Sequence, residues 1–146
     1  KVVMMGGSGL AKELSGEMKM GKDAIAEVIG LLFMSRTYAH MAHLKTSSYA
    51  KHKILNDFYD DESDSDQDVV ELADELAEVA QGKFGKLDIP YVPLIGNVEK
   101  PAEALEMHLE KIMELVSNCG DRALNAVGDV IKGFYLKTIY LLKELQ

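Results

Sequence analysis

Two histidines twelve residues apart, followed by a long acidic run, are the residues in this sequence best suited to binding metal ions. His40 and His52 flank a short polar turn, and His43 lies one helical turn after His40. Between His52 and Gly82 the chain has eleven acidic residues and one basic residue. Carboxylate oxygens alone suit hard cations such as Ca²⁺, Mg²⁺, Mn²⁺ and iron, and imidazole nitrogens beside them shift the preference from calcium toward iron or zinc.

Six of the acids in this run are separated by steps of four and three residues, which places them on one face of a helix. Like charges at this spacing repel each other, at a cost of a few tenths of a kcal/mol per pair. A solvated acidic surface would explain such a stripe, but solvated surfaces usually mix charges of both signs. The pattern therefore favours cation binding by these carboxylates: Asp57, Asp61, Asp64, Asp68, Glu71 and Glu75.

The same run can also be aligned with the calcium-binding loop of an EF-hand. Oxygen ligands then fall at the six loop positions that bind calcium. Position 6 of such a loop is glycine and here is Ser65, while position 8, normally apolar, is Gln67. A calcium-binding module therefore stays an alternative, with these ligands: Asp60, Glu62, Asp64, Asp66, Asp68 and Glu71.

Helical periodicity predicts that four helices position these residues. We expect a flexible arm over residues 1–22 and one bundle over residues 23–146, whose first helix is capped by Asp23 and ends near Lys45. A second helix should run over 49–81, a third from Pro101 to Gly120, and a fourth after Asp121. The connection over 82–100 is long enough to follow the whole bundle, so the second and third helices would run parallel. The predicted fold is all-α, a ferritin-like four-helix bundle with a long crossover between helices two and three.

Composition limits the classes of function that remain. The 146 residues suit one domain, and a net charge of −8 argues against a broad nucleic-acid-binding surface. No apolar run approaches the roughly 20 residues that a membrane span needs. The single cysteine indicates a reducing compartment, and we expect a cytoplasmic protein. The first 22 residues carry a net charge of only +2, which predicts at most weak, non-specific DNA binding.

The residues from His40 to Tyr59 resemble the ferroxidase region of Dps, the bacterial mini-ferritins. In that family a histidine on the first helix is followed twelve residues later by another that opens the second helix, with an acid four residues on and an aromatic residue nearby. Residues 137–142 of the last helix resemble the aromatic-rich end of the same helix in that family. The resemblance covers about residues 24–81 and 121–145. The chain also resembles uncharacterised ferritin-like proteins of tailed phages, which implies the cytoplasm of an infected bacterium.

The resemblance implies an iron site that two subunits share. His40 and His52 fall on the two ferroxidase histidines, and Glu71 falls on the bridging glutamate. Asn56 and Gln67 occupy the positions of two family aspartates. Asp57 and Asp68 stand one residue later, about 100° around the helix, and complete the predicted first-rank ligands. The second-rank ligands are His43, Asp61, Asp64 and Glu75.

The resemblance further implies a homo-oligomer, in Dps a hollow dodecamer, that sequesters iron and protects against oxidation. Replacing two carboxylates by neutral amides removes negative charge that would compensate the metal, so we expect weak or altered ferroxidase activity. The alternative is a catalytically silent ferritin-like protein with a structural or scaffolding role. His108, on the apolar face of the third helix, is expected to be a hydrogen-bonded core residue.

Overall fold

The computed structural model describes residues 4–61 and 67–145. Over these residues the chain is all-α: it forms five helices and no strand. The all-α prediction is therefore confirmed. The helices are α1 (Met4–Lys45), α2 (Tyr49–Tyr59), α3 (Val69–Phe84), α4 (Pro101–Ser117) and α5 (Arg122–Glu144).

Three of the predicted helix starts are confirmed, and each has a local cause. Ser48 caps α2 by accepting a hydrogen bond from the backbone N–H of Lys51. Pro101 occupies the first turn of α4, where its missing N–H costs nothing. Asp121 caps α5 by accepting from the N–H of Leu124. Such caps satisfy backbone donors that the first helical turn leaves unpaired.

Two of the predicted boundaries are wrong. Asp23 lies inside α1, which begins at Met4, so it does not cap that helix. The predicted second helix over 49–81 is two helices, because Asp60 ends α2 and Asp68 caps α3. Residues 60–68 contain no apolar side chain that could be buried against the core. Aspartate is also better suited to a cap than to a helix interior. The six acids from 57 to 75 therefore do not share one face of one helix.

The contacts between helices define their neighbours and their relative directions. α1 contacts α2, α3 and α4, and α5 contacts the same three helices. The end of α3 meets the start of α5 through an ion pair between Lys83 and Asp121, so these helices are antiparallel. α4 and α5 are also antiparallel, since Glu106 near the start of α4 pairs with Lys143 near the end of α5.

The segment between α3 and α4 follows the length of α1. Pro90 approaches α1 at Gly30, where an added Cβ would lie only 2.7 Å from the proline carbonyl oxygen. Farther along, the Tyr38 hydroxyl donates to the carbonyl of Asn97 at 2.5 Å. The segment therefore returns the chain to the opposite end, and α4 runs in the same direction as α3. Among the described residues, no helix combines the length and apolar character needed to cross a bilayer.

Candidate metal-binding histidine cluster

The turn between α1 and α2 brings two histidine rings face to face. The rings of His43 and His52 stack with centroids 3.5 Å apart and planes 28° apart. The Nδ1 atom of His43 lies 2.9 Å from the backbone oxygen of His52, and Nδ1 of His52 lies 3.1 Å from that of His43. A carbonyl oxygen can only accept, so each Nδ1 carries the proton and donates it. In the neutral rings both Nε2 atoms therefore keep a free lone pair.

His40 and Tyr59 complete this group, which we call the corner cluster (His40, His43, His52 and Tyr59). The His40 ring stacks on Tyr59 with a centroid separation of 4.5 Å. Tyr59 also meets His43 edge to face at 5.5 Å, so one aromatic ring contacts two of the histidines. Burial raises the pKa of Tyr59, the negative charge of Asp60 raises it further, and Arg36 opposes both. Tyr59 therefore stays a neutral phenol that orders the histidines by packing.

The chemistry of the corner cluster suits a transition metal ion. A histidine that binds a metal usually donates its other ring N–H to a carbonyl or carboxylate, which fixes the ring and its tautomer. His43 and His52 already have that second hydrogen bond. Within the part of the chain that is described, however, no three His, Cys, Asp or Glu side chains are grouped closely enough to hold one ion. A complete site would need donors beyond those that the described residues bring together.

The predicted carboxylate ligands lie on different elements and differ in their exposure to solvent. Asp57 is exposed on α2, Asp61 is half-buried just after that helix, and Glu71 and Glu75 are exposed on α3. Glu75 accepts a long hydrogen bond of 3.4 Å from the amide of Gln67. None of them joins the histidines in a group of three among the described residues. Asp64 lies outside the described residues, as do Glu62 and Asp66 of the EF-hand alignment.

The Asp68 carboxylate accepts two backbone hydrogen bonds that stabilise the fold. Its Oδ1 accepts from the N–H of Glu71 at 2.9 Å, which caps α3, and its Oδ2 accepts from the N–H of Asp61 at 3.2 Å. The side chain is buried, so water does not replace these hydrogen bonds. Asp68 thereby joins the two sides of the break between α2 and α3. As a metal ligand it would have to share oxygens that the fold already uses.

The fourth histidine confirms the prediction of a hydrogen-bonded core residue. His108 is fully buried, its Nδ1 lies 2.8 Å from the Ser35 hydroxyl, and its Nε2 lies 2.7 Å from the carbonyl oxygen of Ile95. The Nε2–H must donate to that carbonyl, which leaves Nδ1 to accept from Ser35. Burial lowers the pKa of His108, against the opposing effect of the hydrogen bond to Ile95. Both ring nitrogens are therefore engaged in the neutral form.

Sequence reasoning missed two features around these histidines. It ranked His43 below His52, whereas the structure pairs the two rings. It also gave no sign of the buried Tyr135 hydroxyl, which makes no hydrogen bond among the described residues. Burial raises the pKa of Tyr135, and the nearby Ser35 hydroxyl opposes that shift. The nine-residue spacing of His43 and His52 across a capped turn was the available signal for the pair.

Comparison with known proteins identifies the family. The sequence profile of DUF5856, a family of unknown function, matches residues 43–142. The chain belongs to DUF5856. The matched region of this DUF5856 member starts at His43 and includes His52, Tyr59 and His108, while His40 precedes it.

The chain is also similar to a phage protein. The chain is 28% identical over 120 residues to an uncharacterized 14.6 kDa protein, encoded in the mobD-ri intergenic region of Enterobacteria phage T4. That alignment covers 80% of this chain and 85% of the phage protein. No solved structure matches the chain.

Proposed function

We propose that this protein is a Dps-like, ferritin-related oligomer that binds Fe²⁺ and weakly catalyses its oxidation to Fe³⁺, with peroxide as the electron acceptor. It would sequester iron and protect against oxidation in the cytoplasm of a bacterium. The observation that carries the proposal is the stacked pair of His43 and His52, whose Nδ1 atoms are held by carbonyl groups and whose Nε2 atoms are free to bind a metal ion. Iron in this proposal is a substrate and cargo.

The path of the chain supports a ferritin-like bundle. In the proposed assignment α2 and α3 together take the place of one helix, which makes four helical positions. α1 lies beside the α2–α3 position and beside α4, while α5 lies beside both as well. The long segment along α1 joins α3 to α4, which lie on one diagonal of this square. A single long crossover of this kind is the ferritin-like way to close a four-helix bundle.

An exposed apolar strip supports assembly with a second copy. Phe33, Met41 and Leu44 are exposed along α1, and Leu44 keeps 72% of its surface accessible. Tyr91 and Leu94 of the crossover are exposed as well, and both line a groove with Phe33 and Met41. Contiguous apolar surface of this kind commonly marks an interface. His40 lies one residue before Met41, so a two-fold contact here would place the histidines close to the interface. A closed shell of such pairs, up to a dodecamer, is part of the proposal.

The departures from the Dps pattern explain why we propose weak activity. Asn56 and Gln67 are neutral where the family has aspartates, and Asp68 is used as a cap. Fe³⁺ needs more compensating negative charge than Fe²⁺, so these changes disfavour the oxidised product most. Binding of His40, His52, Asp57 and Glu71 to iron would then be looser than in an active ferroxidase. Weak DNA binding by the lysines of the first 22 residues would be at most an accessory activity.

A silent structural or scaffolding role is the second candidate. It is favoured by the absence of any three-donor group within the described part of the chain and by the engagement of both Asp68 oxygens. A calcium-binding module is a third and weaker candidate. Its ninth loop position, Asp68, already caps α3.

The test combines assembly with iron chemistry. Light scattering after size-exclusion chromatography should show a closed homo-oligomer, and stopped-flow absorbance should show slow Fe²⁺ oxidation. His52→Ala should abolish that oxidation, while Lys53→Ala, at the neighbouring exposed position, should leave it unchanged. A monomer at micromolar concentration would exclude the shared site. An oligomer that neither binds nor oxidises iron would favour the scaffolding role, and a Ca²⁺-induced gain of helix would favour the calcium module.

A further inference from the structure

One side of α5 is exposed to solvent over the whole length of the helix. The residues of this side recur at steps of three and four, which a repeat of 3.6 residues per turn places within about 120° of one another. Three of them are large apolar residues, of which Tyr140 keeps 61% of its surface accessible. We call this surface the outer face of α5, and its residues are Arg122, Ala126, Asp129, Val130, Gly133, Leu136, Lys137, Tyr140 and Glu144.

The charges on the outer face are arranged symmetrically about Gly133. Asp129 lies four residues before Gly133, and Lys137 lies four residues after it. Arg122 and Glu144 lie eleven residues before and after the same glycine. None of these four charged side chains forms an ion pair with a residue that the structure describes. Each acid on this face is therefore matched by a base at the mirrored position.

The apolar residues of the outer face follow the same symmetry. Val130 and Leu136 lie three residues before and after Gly133, and both are about half exposed. Ala126 and Tyr140 lie seven residues before and after it, which matches a small side chain with a large one. When two copies of a helix cross antiparallel about a two-fold axis, residues equally far before and after the crossing point lie opposite each other. The outer face therefore complements a second copy of itself in charge and in size.

The fold of a single chain does not require a glycine at position 133. A Cβ added at Gly133 would meet no atom within 4 Å, whereas at Gly128 it would lie 2.8 Å from the side chain of Val116. Packing against α4 thus explains the glycine at position 128 only. Glycine inside a helix costs roughly 0.5–1 kcal/mol relative to alanine. A helix that crosses α5 at Gly133 would account for this cost, because smaller side chains at a contact let two helix axes approach more closely.

We propose that the outer face of α5 binds a second copy of this chain, with the two α5 helices antiparallel and crossing at Gly133. Asp129 of each copy would pair with Lys137 of the other, and Arg122 would pair with Glu144. An unrelated helix would not need charges that are symmetric about one residue. The surface is separate from the apolar strip of α1, so the proposal depends neither on that strip nor on iron. A contact at each surface would build an assembly larger than a dimer.

The first test exchanges charges in the full-length protein. Asp129→Lys leaves only basic side chains where positions 129 and 137 meet, and Lys137→Asp leaves only acidic ones. Each variant should self-associate at least tenfold more weakly than the parent in sedimentation velocity, equivalent to about 1.4 kcal/mol. Mixing the two variants should restore association, because every such contact then joins an acid to a base. Asp74→Lys and Lys86→Asp make the same charge changes at exposed positions outside α5 and should associate like the parent, alone or mixed.

The second test locates the crossing point by cross-linking. In a Cys119→Ser background, Gly133→Cys places the two introduced thiols next to the two-fold axis. Mild oxidation should then give a covalent dimer on a non-reducing denaturing gel. Gly82→Cys, also at a helical glycine with open space, should stay largely uncoupled under the same conditions.

The outcomes separate this contact from the one proposed on α1. A monomeric parent, a mixture that associates no better than each charge variant alone, or equal cross-linking at positions 133 and 82 would each overturn the α5 contact. An assembly that Leu44→Glu abolishes and that no α5 variant changes would assign association to the apolar strip alone. Loss of iron oxidation in an otherwise unchanged assembly would leave the α5 contact standing.

Discussion

His108 and His52 are the same residue in environments that leave different atoms free. At His108 the Ser35 hydroxyl and the Ile95 carbonyl engage both ring nitrogens, and the ring is fully buried. At His52 the His43 carbonyl engages Nδ1 alone, and the ring is only half-buried. A neutral imidazole has one donor and one acceptor. His108 has therefore used its whole capacity inside the fold, whereas His52 keeps its acceptor for a ligand.

A group whose hydrogen-bonding atoms are all engaged within the fold is structural, and one that keeps such an atom free is available to bind a ligand. This distinction separates the side chains better than residue type does. Asp68 belongs with His108, since both of its carboxylate oxygens accept backbone hydrogen bonds in a buried position. Asp57 and Glu71 belong with His52, because they are exposed. Removing a structural group should cost folding free energy and leave ligand binding to the folded protein unchanged. Removing an available group should do the reverse.

The largest expected effect is the loss of folding stability when the buried His108 is replaced. His108→Ala should lower the free energy of unfolding by about 3 kcal/mol, because it leaves a cavity and two unpaired polar groups. His52→Ala should cost about 1 kcal/mol, since water can replace its hydrogen bond. Urea unfolding followed by circular dichroism measures both. Equal losses for the two variants would show that the second hydrogen bond of His108 does not matter.

Asp68→Ala should come next in size. Losing the cap of α3 together with the hydrogen bond from Asp61 should lower the free energy of unfolding by about 1–2 kcal/mol. Asp68→Asn keeps an acceptor oxygen and should recover most of that loss. Asp74→Ala, on the exposed side of the same helix, is the control. If Asp68→Ala is as stable as the control but loses metal binding, Asp68 belongs with the available groups.

Restoring the two missing carboxylates tests whether the available groups bind and oxidise iron. Asn56→Asp combined with Gln67→Asp should speed Fe²⁺ oxidation about tenfold, or about 1.4 kcal/mol of barrier, because each change adds negative charge where Fe³⁺ forms. His52→Ala in that background should remove the gain. Stopped-flow absorbance at matched iron, oxidant and pH makes the comparison, with assembly checked for every variant. A folded, assembled double variant that is no faster would count against the iron site and for the scaffolding role.

The smallest expected effect is on the pH dependence of stability. Burial lowers the pKa of His108 below its usual value of 6.5, so the unfolded chain binds a proton more readily than the folded protein does. The stabilisation from neutral His108 is complete above pH 6.5 and is lost as pH falls through the lowered pKa of the folded state. His108→Gln should therefore lose less stability than the parent between pH 7 and acid. Parallel unfolding curves for the two proteins over that range would contradict the assignment.

Local sequence signals predicted much of this structure. The polar turn before residue 49, the cap at Asp121 and the proline at position 101 act through contacts within one helical turn, so short sequence patterns reveal them. His108 was recognised as a core residue because it interrupts an apolar stripe. The chemistry of the corner cluster was half predicted: His40 and His52 were identified by spacing, and His43 was ranked second.

Other features depended on competition between local and distant interactions. Apolar residues before Asp60 and after Asp68 predict one continuous helix, yet the charged residues between them have no apolar face to bury. The sequence predicts the end of α1 better than its start. The polar turn after Lys45 marks the end of α1 in the sequence, but the start at Met4 lies within a glycine-containing segment whose apolar periodicity is poor.

Residue types and spacing alone determined that this protein has four histidines and a dense acidic run, and so which ions it could attract. Only the tertiary structure decided which atoms of those residues are available. The carbonyls that hold His43 and His52, and the Ser35 and Ile95 groups that engage His108, come from other parts of the backbone or from distant side chains. Their positions depend on how the helices pack, because a hydrogen bond requires a partner within about 3 Å in the correct direction.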